Sequence, residues 1–235
     1  MKKSMFLFAT LVLCLNATAQ IKFFMEVSGN HSLLSKSDRV YTTEVPSDVP
    51  QYKMMRIDEY KSSYTNKPGG NVMAGAQYSF SPQISLEPGI DFCMINFKQD
   101  LMSQTVNFYY DKEMSPSISQ SPISPKVSSS YTQSDFNLFY LNIPISVFYH
   151  FLDDKLAAGV GIVPGFLITS KGGSAESSNF NKGSVGMQVQ LRYRFMDTWW
   201  ITGAFQEYNS YLYPESAKQS FSRNRLIKLG LRYDF

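Results

Sequence analysis

Ile227-Lys228-Leu229-Gly230-Leu231-Arg232-Tyr233-Asp234-Phe235 places an apolar or aromatic side chain at every odd position and a charged residue or glycine at every even one. Successive side chains of a strand point to opposite faces, so a period of two reads as a β-strand with one apolar and one polar face. The polar face carries charge in mid-strand, at Lys228 and Arg232. A strand crossing a membrane in a barrel has this character, with its apolar face toward lipid and its polar face toward a lumen.

The same alternation recurs upstream. Ile21, Phe23, Met25 and Val27 alternate with Lys22, Phe24, Glu26 and Ser28, and Val72, Ala74, Ala76, Tyr78 and Phe80 share a face. Ile84, Leu86, Ile90, Phe92 and Met94 oppose Ser85, Glu87, Gly89 and Asp91, and Leu141, Ile143, Ile145, Val147 and Tyr149 oppose Asn142, Pro144, Ser146 and His150. A glycine-rich strand from about Leu156 to Ile168 follows, then strands from Ser184 to Phe195, Trp199 to Tyr208 and Leu226 to Phe235. These eight strands run to about ten residues, longer than the five or six usual in soluble sheets and close to what a tilted transmembrane strand needs.

The connections alternate in length. Short turns fall at Ser81-Pro82-Gln83, Asp153-Asp154 and Met196-Asp197-Thr198, and long ones at Asn30–Gly69, Lys98–Asp135, Ser170–Lys182 and Ser210–Arg225. An all-β, eight-stranded antiparallel transmembrane barrel with short periplasmic turns and long extracellular loops is the expected fold. Aromatic pairs near strand ends, Tyr78/Phe80, Tyr149/Phe151, Tyr193/Phe195, Trp199/Trp200 and Tyr233/Phe235, suit interfacial girdles. A soluble barrel, with its apolar face turned inward, is the competing reading.

The composition agrees with a barrel. Of 235 residues, 43% are hydrophobic, 15% aromatic and only 17% charged, and closure removes the strand edges that lipid cannot satisfy. No stretch after Gln20 is apolar for the ~18 residues of a helical span. Residues 1–19 read as a secretory signal peptide: Lys2 and Lys3, an apolar run to Leu15, then Ala17-Thr18-Ala19 before Gln20. Residues 20–235 then form the barrel domain, in the outer membrane of a Gram-negative cell. Loss of Lys2 and Lys3 lowers the net charge from +3 to +1, which does not suggest a nucleic-acid partner, and none is expected. Loss of Cys14, a buried signal-peptide residue rather than an acylation site, leaves Cys93 without a disulfide partner.

Leu231, Tyr233 and Phe235 resemble the signal by which outer-membrane barrels are recognised for insertion, a terminal aromatic preceded by apolar residues at alternate places. Ala17-Thr18-Ala19-Gln20, Phe80-Ser81-Pro82 with Ile84-Ser85-Leu86-Glu87-Pro88-Gly89, Tyr140-Leu141-Asn142-Ile143-Pro144-Ile145 and Gly230-Leu231-Arg232-Tyr233-Asp234-Phe235 resemble the Bacteroidetes outer-membrane β-barrel family that includes PorT of the type IX secretion system. The resemblance spans nearly all of the chain after residue 19. It implies a barrel, carries no catalytic residue across, and makes a role as accessory to protein secretion an expectation.

Parity turns Lys22, Glu26, Glu87, Asp91, Arg192, Arg194, Lys228 and Arg232 to the lumen. An eight-stranded barrel is wide enough only for side chains, and an unpaired charge in a dry interior is costly. An internal ion-pair network of Glu26, Glu87, Asp91, Arg192, Lys228 and Arg232 is therefore expected, with Glu26 near Lys228 and Glu87 near Arg192. Trapped water around these groups is the alternative, and a wide pore is disfavoured.

Only His31 and His150 are present. His150 with Ser146 on the same face would suit a hydrolase, but a rim histidine contacting Asp153 or lumen water is the simpler reading. No metal spacing, P-loop or dinucleotide fingerprint appears, because Gly69-Gly70 and Gly172-Gly173 lack the required lysine or helix. No cofactor is expected. The first long loop mixes Tyr41, Tyr52, Tyr60 and Tyr64 with balanced charges, which suits either partner contact or strands that extend the barrel, and Asn107-Phe108-Tyr109-Tyr110 reads as such an extension. Ser115 to Ser130, rich in Ser and Pro, reads as a mobile loop.

The expected role is a non-enzymatic structural or interaction component of the envelope. Its expected partners are outer-membrane lipid, the barrel-insertion machinery, and envelope or secretion proteins met through the long loops. A narrow channel for small or apolar solutes is the second reading, and an envelope-embedded hydrolase the third.

Overall fold

Ile227, Leu229 and Leu231 lie on the outside of the molecule, with Leu229 67% exposed, while Lys228 and Arg232 between them are buried. The chain is built inside out relative to a soluble protein. The computed structural model describes residues 20–48, 52–112, 123–172, 180–211 and 223–235, and the signal-peptide assignment at 1–19 lies outside them.

The strands are β1 (Gln20–Ser32), β2 (Ser37–Val45), β3 (Tyr52–Ser79), β4 (Ile84–Asp111), β5 (Lys126–Asn142), β6 (Ile145–Phe151), β7 (Leu156–Lys171), β8 (Gly183–Met196), β9 (Trp199–Tyr211) and β10 (Arg223–Asp234). Every pairing is antiparallel. β5 and β6 together form one wall, each pairing with β4 and β7. They are interrupted at Ile143-Pro144, where proline offers no N–H. There the Gly89 N–H donates to the Pro144 carbonyl at 2.9 Å and the Ile143 N–H to Pro164 at 2.8 Å, so the wall stays sealed. With β5/β6 as one wall, the ring runs β1-β3-β4-β5/β6-β7-β8-β9-β10 and closes where β10 meets β1, Glu26 facing Arg232 and Val27 facing Leu231. This is a closed eight-walled antiparallel barrel of the transmembrane kind.

Outward positions form an apolar belt around the ring: Ile21, Phe23, Val72, Ile90, Val147, Val160, Val189, Leu191 and Leu229 are all exposed. Aromatic contacts gather near the periplasmic rim, Tyr78 on Phe80, Tyr149 on Phe151, and Trp199 and Phe235 on Tyr233.

Three features depart from the sequence reading. First, the two longest connections are largely strand. β3 and β4 are each 28 residues and pair from Tyr52↔Asp111 down to Ser79↔Ser85. With β2 and the first half of β5 they make a four-stranded blade that continues one side of the barrel outward by about 45 Å along the strands. Above the membrane no lipid demands alternation, so the period-two signal fades although pairing continues. Second, Lys126–Ser130 belongs to β5 rather than to a loop, and 113–122 lies outside the described residues. Third, the lumen is not polar throughout. Cys93, Ile95, Phe97, Phe136, Leu138, Tyr140, Phe180, Tyr208, Leu226 and Leu34 form a buried apolar cluster in its upper part. Phe97 stacks obliquely on Phe136 at 5.3 Å between centroids and Phe136 meets Phe180 edge-on at 5.5 Å. Such pairs contribute about 0.5–1.5 kcal/mol each beyond burial. A barrel this narrow is filled by side chains whatever their polarity.

Candidate functional site

Below the apolar plug the inward positions of β1, β4, β8 and β10 carry the charges, and those of β3 carry amides. Asp91 accepts from Lys228 Nζ at 2.9 Å, from Asn71 Nδ2 at 3.0 Å and from Asn142 Nδ2 at 3.1 Å. The Tyr208 hydroxyl donates to the Asn142 carbonyl oxygen at 2.8 Å, and Asn30 donates to Asn71. Lower down, one oxygen of Glu87 receives both Arg192 Nη1 at 2.6 Å and Arg232 Nη1 at 2.7 Å. Arg192 Nη2 donates to Gln190, and Arg232 donates to Gln77 and to Asp234.

Each arginine also lies on an aromatic face, Arg192 3.7 Å above the Phe148 ring and Arg232 3.8 Å above Phe24. Both rings also crowd a glycine. A Cβ at Gly75 would sit 2.5 Å from Phe24, and one at Gly159 would meet Phe148 as closely. Gly75 and Gly159 thus leave room for the rings on which the two arginines that meet on Glu87 lie. The free space lined by Phe24, Glu87, Ser146, Phe148 and Arg192 is about 10 Å³, room for one water at most.

Of the residues expected in this network, the structure brings together Glu87, Arg192 and Arg232 in one group and Asp91 with Lys228 in another. Glu26 touches neither group, although its charge acts on both Arg192 and Lys228. It is buried opposite Arg232, not Lys228, makes no ion pair among the described residues and leaves one carboxylate oxygen without a hydrogen bond. Lys228 lies opposite Asn30 instead. Residue counting from the rim ignores the stagger of strands in a tilted barrel, which decides who faces whom. Leu231, Tyr233 and Phe235 lie on the outward side of β10 and just beyond it, and Leu231 and Phe235 are exposed.

At the periplasmic mouth His150 takes neither expected partner. Ser146 instead accepts from Gln188 Nε2 at 2.7 Å. Ser85 Oγ stands 2.8 Å from His150 Nε2, and Asp154 Oδ1, not Asp153, stands 2.6 Å from His150 Nδ1. Arg194, expected in the lumen, holds the other Asp154 oxygen and stacks on Trp200 at 4.3 Å. The turn that delivers Asp154 is left-handed at three successive non-glycine residues, Leu152 (φ 54°), Asp153 (φ 53°) and Asp154 (φ 64°). This conformation costs on the order of 1 kcal/mol or more per residue, most at Leu152. A cavity of about 580 Å³ opens beside it, lined by Lys22, Gln77, Ser79, Phe80, Ser81, Pro82, His150 and Asp154. Ser85 comes from a neighbouring wall, so its nearness to His150 depends on the β4–β6 register, which local spacing does not reveal.

Burial opposes the charge of Asp154, but the hydrogen bond from His150 and the Arg194 guanidinium outweigh it and hold the carboxyl below its usual range. A carboxyl held low in the folded state contributes stability above its unfolded pKa and loses it as pH falls through the folded one. The Lys155 N–H, bonded to Leu152 across this turn, is therefore expected to exchange slowly near pH 7 and to gain speed, beyond the intrinsic trend, only below about pH 4. Excess exchange beginning between pH 7 and 6 would show that the Asp154 carboxyl is not what holds the turn.

On the blade, Tyr131 and Gln133 of β5 both donate to Asp100, at 2.9 and 2.6 Å. The blade face continuous with the barrel exterior presents Val40, Met102, Val127 and Tyr131, with Tyr131 65% exposed. Of the tyrosines singled out by the sequence, Tyr41 packs on Tyr60, and Tyr64 packs on Phe97 at the top of the plug.

No protein-family model matches the sequence, and no curated protein does. Solved structures do. Neisserial surface protein A aligns over 91% of this chain and 97% of its own at 13% identity, with a TM-score of 0.42. Ail, the attachment invasion locus protein of Yersinia pestis, aligns over 92% and 99% at 10% identity, with a TM-score of 0.32. The KdgM porin in complex with oligogalacturonate aligns over 89% and 99% at 14% identity, with a TM-score of 0.27. Likenesses this distant carry no inference about activity or ligand.

Proposed function

We propose that this is an integral outer-membrane protein whose barrel is a sealed anchor and whose extracellular blade is its working surface, an interaction component of the envelope without enzymatic use of the lumen. The observation that carries the reading is the filled interior: beneath the aromatic plug, two buried arginines meet on Glu87 around about 10 Å³ of space. Outside, the belt of exposed aliphatic side chains requires lipid around it. The blade offers exposed Val40, Val127 and Tyr131 on a paired sheet, a mixture of apolar and tyrosine surface suited to protein contact.

In a planar bilayer the purified protein is expected to show no steady conductance, and a large steady conductance would overturn the sealed anchor in favour of a channel for small solutes. A photo-crosslinking residue at Tyr131 or Val40, used in native membranes, is expected to capture a discrete envelope or surface protein that the same residue placed at Val189 on the lipid belt does not capture. Equal capture from both positions would remove the blade from the reading. The PorT-like resemblance supports one finer version, an accessory of protein secretion, and intact cargo secretion after deletion of the protein would exclude it. Leu231, Tyr233 and Phe235 serve the insertion machinery in this reading.

A further inference from the structure

We propose that the lipid-facing surface of the barrel, at its outer-leaflet end, holds one anionic phospholipid, with an acyl chain in a groove across β1, β3, β4, β5 and β7 and its phosphate on Lys67, Lys98 and Lys171. This rests on the barrel's place in the outer membrane and is independent of the blade's role. The groove measures about 370 Å³, at the small end of the range of ligand sites, and is lined by Val27, Gly70, Val72, Phe92, Phe139 and Ile168. Val27, Val72, Phe92 and Ile168 are each between 47% and 58% exposed, so the groove opens toward hydrocarbon and not toward the lumen.

Its depth comes from missing side chains. Gly70 faces Gly29 across the β1–β3 pair, on the outward side shared with Val27 and Val72. A Cβ at Gly29 would meet nothing within 4 Å, and one at Gly70 only the Ser28 carbonyl oxygen at 3.8 Å. Packing therefore does not require glycine at either place, in contrast to Gly69, whose Cβ would collide with the Met94 carbonyl oxygen. Between Lys67 and Gly70 the β3–β4 register shifts, a bulge that bends the wall at the head of the groove. Bare backbone facing lipid leaves a hollow whose walls lack contacts until a chain lies along Phe92 and Phe139 and fills it.

The apolar rows stop at the top of this groove. On β4 the outward series Phe92, Met94 continues as Asn96 and Lys98, and on β5 the series Leu141, Phe139 continues as Asn137 and Asp135. Headgroup level therefore falls about 13 Å above Met94 along the strand, and three ammoniums gather there. Lys98 faces Asp135 across the β4–β5 pair, and Lys67 bonds Asp135 at 2.8 Å. Lys171 faces Asn137 and leans back over the Phe139 ring, 6.0 Å from its centroid. Three lysines thus stand against one carboxylate, and Asp100, the next acid up this face, is engaged by Tyr131 and Gln133. Lysines that end a lipid-facing strand commonly do no more than reach for water. Here Lys98 and Lys171 form no ion pair among the described residues, whereas at the same rim of β9 and β10 Arg223 and Arg225 are both paired with Glu207. An excess of positive charge directly over an apolar groove is complementary to a lipid with an anionic phosphate.

Native mass spectrometry of the full chain, released from neutral detergent micelles, tests this with dioleoyl phosphatidylglycerol or dioleoyl phosphatidylcholine supplied in series. The wild type is expected to retain one phosphatidylglycerol, about tenfold more tightly than phosphatidylcholine. Lys98→Gln combined with Lys171→Gln is expected to remove that preference. Gly70→Leu, whose Cβ has room, is expected to weaken both lipids about tenfold by filling the groove. Inorganic phosphate at millimolar concentration is expected to leave the lipid in place. Equal retention of the two lipids by the wild type overturns the proposal without reference to any variant, because it describes ordinary annular contact. Displacement by inorganic phosphate, or a preference that survives the double lysine variant, overturns it as well. So does undiminished retention in a Gly70→Leu protein that keeps the heat-modifiable gel mobility of a folded barrel.

Discussion

Glu87→Ala lowers the stability of the folded barrel by about 3–5 kcal/mol, the range for removing one partner of a buried ion pair. One carboxylate oxygen receives both Arg192 and Arg232, and both guanidiniums are buried, so a single substitution leaves two cations close together, with Asp234 still paired to Arg232 and no ion pair left for Arg192 among the described residues. Water has no room to take over, since the adjoining space is about 10 Å³. Unfolding in urea from liposomes, read by tryptophan fluorescence and gel mobility, measures the change. Glu87→Gln keeps the shape and an acceptor and falls between wild type and alanine. A loss under about 1 kcal/mol for Glu87→Ala would mean that lumen water solvates the arginines and that the interior is wetter than its packing. Exchanging Glu87, Arg192, Arg232 and Asp234 together for apolar residues of matching volume is expected to be tolerated far better, because the whole paired group is then removed.

Leu229→Arg costs about 2–4 kcal/mol in a bilayer, the penalty for a cation at the mid-depth of a barrel's lipid face. Leu229 sits at the centre of β10 with two-thirds of its surface exposed, so in a soluble protein the same change would be nearly neutral. Its neighbour gives the opposite pattern. Lys228→Leu adds apolar surface yet is expected to destabilise, because Asp91 loses the ammonium 2.9 Å away and remains buried. A neutral result for Leu229→Arg in lipid vesicles would sink the assignment of the outer belt to hydrocarbon, whatever the internal network does.

How much of this was legible follows from what enforces each feature. Alternation at 21–27, 84–94 and 227–235 is imposed residue by residue by lipid on one side and side-chain packing on the other, so it is written locally and reads cleanly. Inward parity was equally legible for Glu87 and Arg192. It could also have been followed from Asp91 through Cys93, Ile95 and Phe97, which would have uncovered the aromatic plug; Phe92 and Met94 on the other face make both faces of that stretch apolar and hide the distinction. Partner choice was not legible. Glu26 faces Arg232, and His150 finds Ser85 and Asp154 instead of Ser146 and Asp153, because stagger between walls and a three-residue left-handed turn decide those contacts. The blade was half visible, in Asn107-Phe108-Tyr109-Tyr110, since its strands pair backbone to backbone without needing a periodic apolar face.

The junction of β1 with β10 joins residues roughly 200 positions apart, whereas β7, β8, β9 and β10 pair with immediate neighbours in the chain. Loop-closure entropy makes that contact the slowest to form, so it is the last zipper of assembly. Until it shuts, the outward row from Ile227 to Tyr233 and the opposite row from Ile21 to Val27 belong to unpartnered margins, and the arginine on one margin has not yet met the carboxylate inside. Maturation then has a natural kinetic checkpoint: a half-built sheet stays open and accessible to a chaperone, and only the closed ring brings Arg232 onto Glu87 and commits the protein to its membrane.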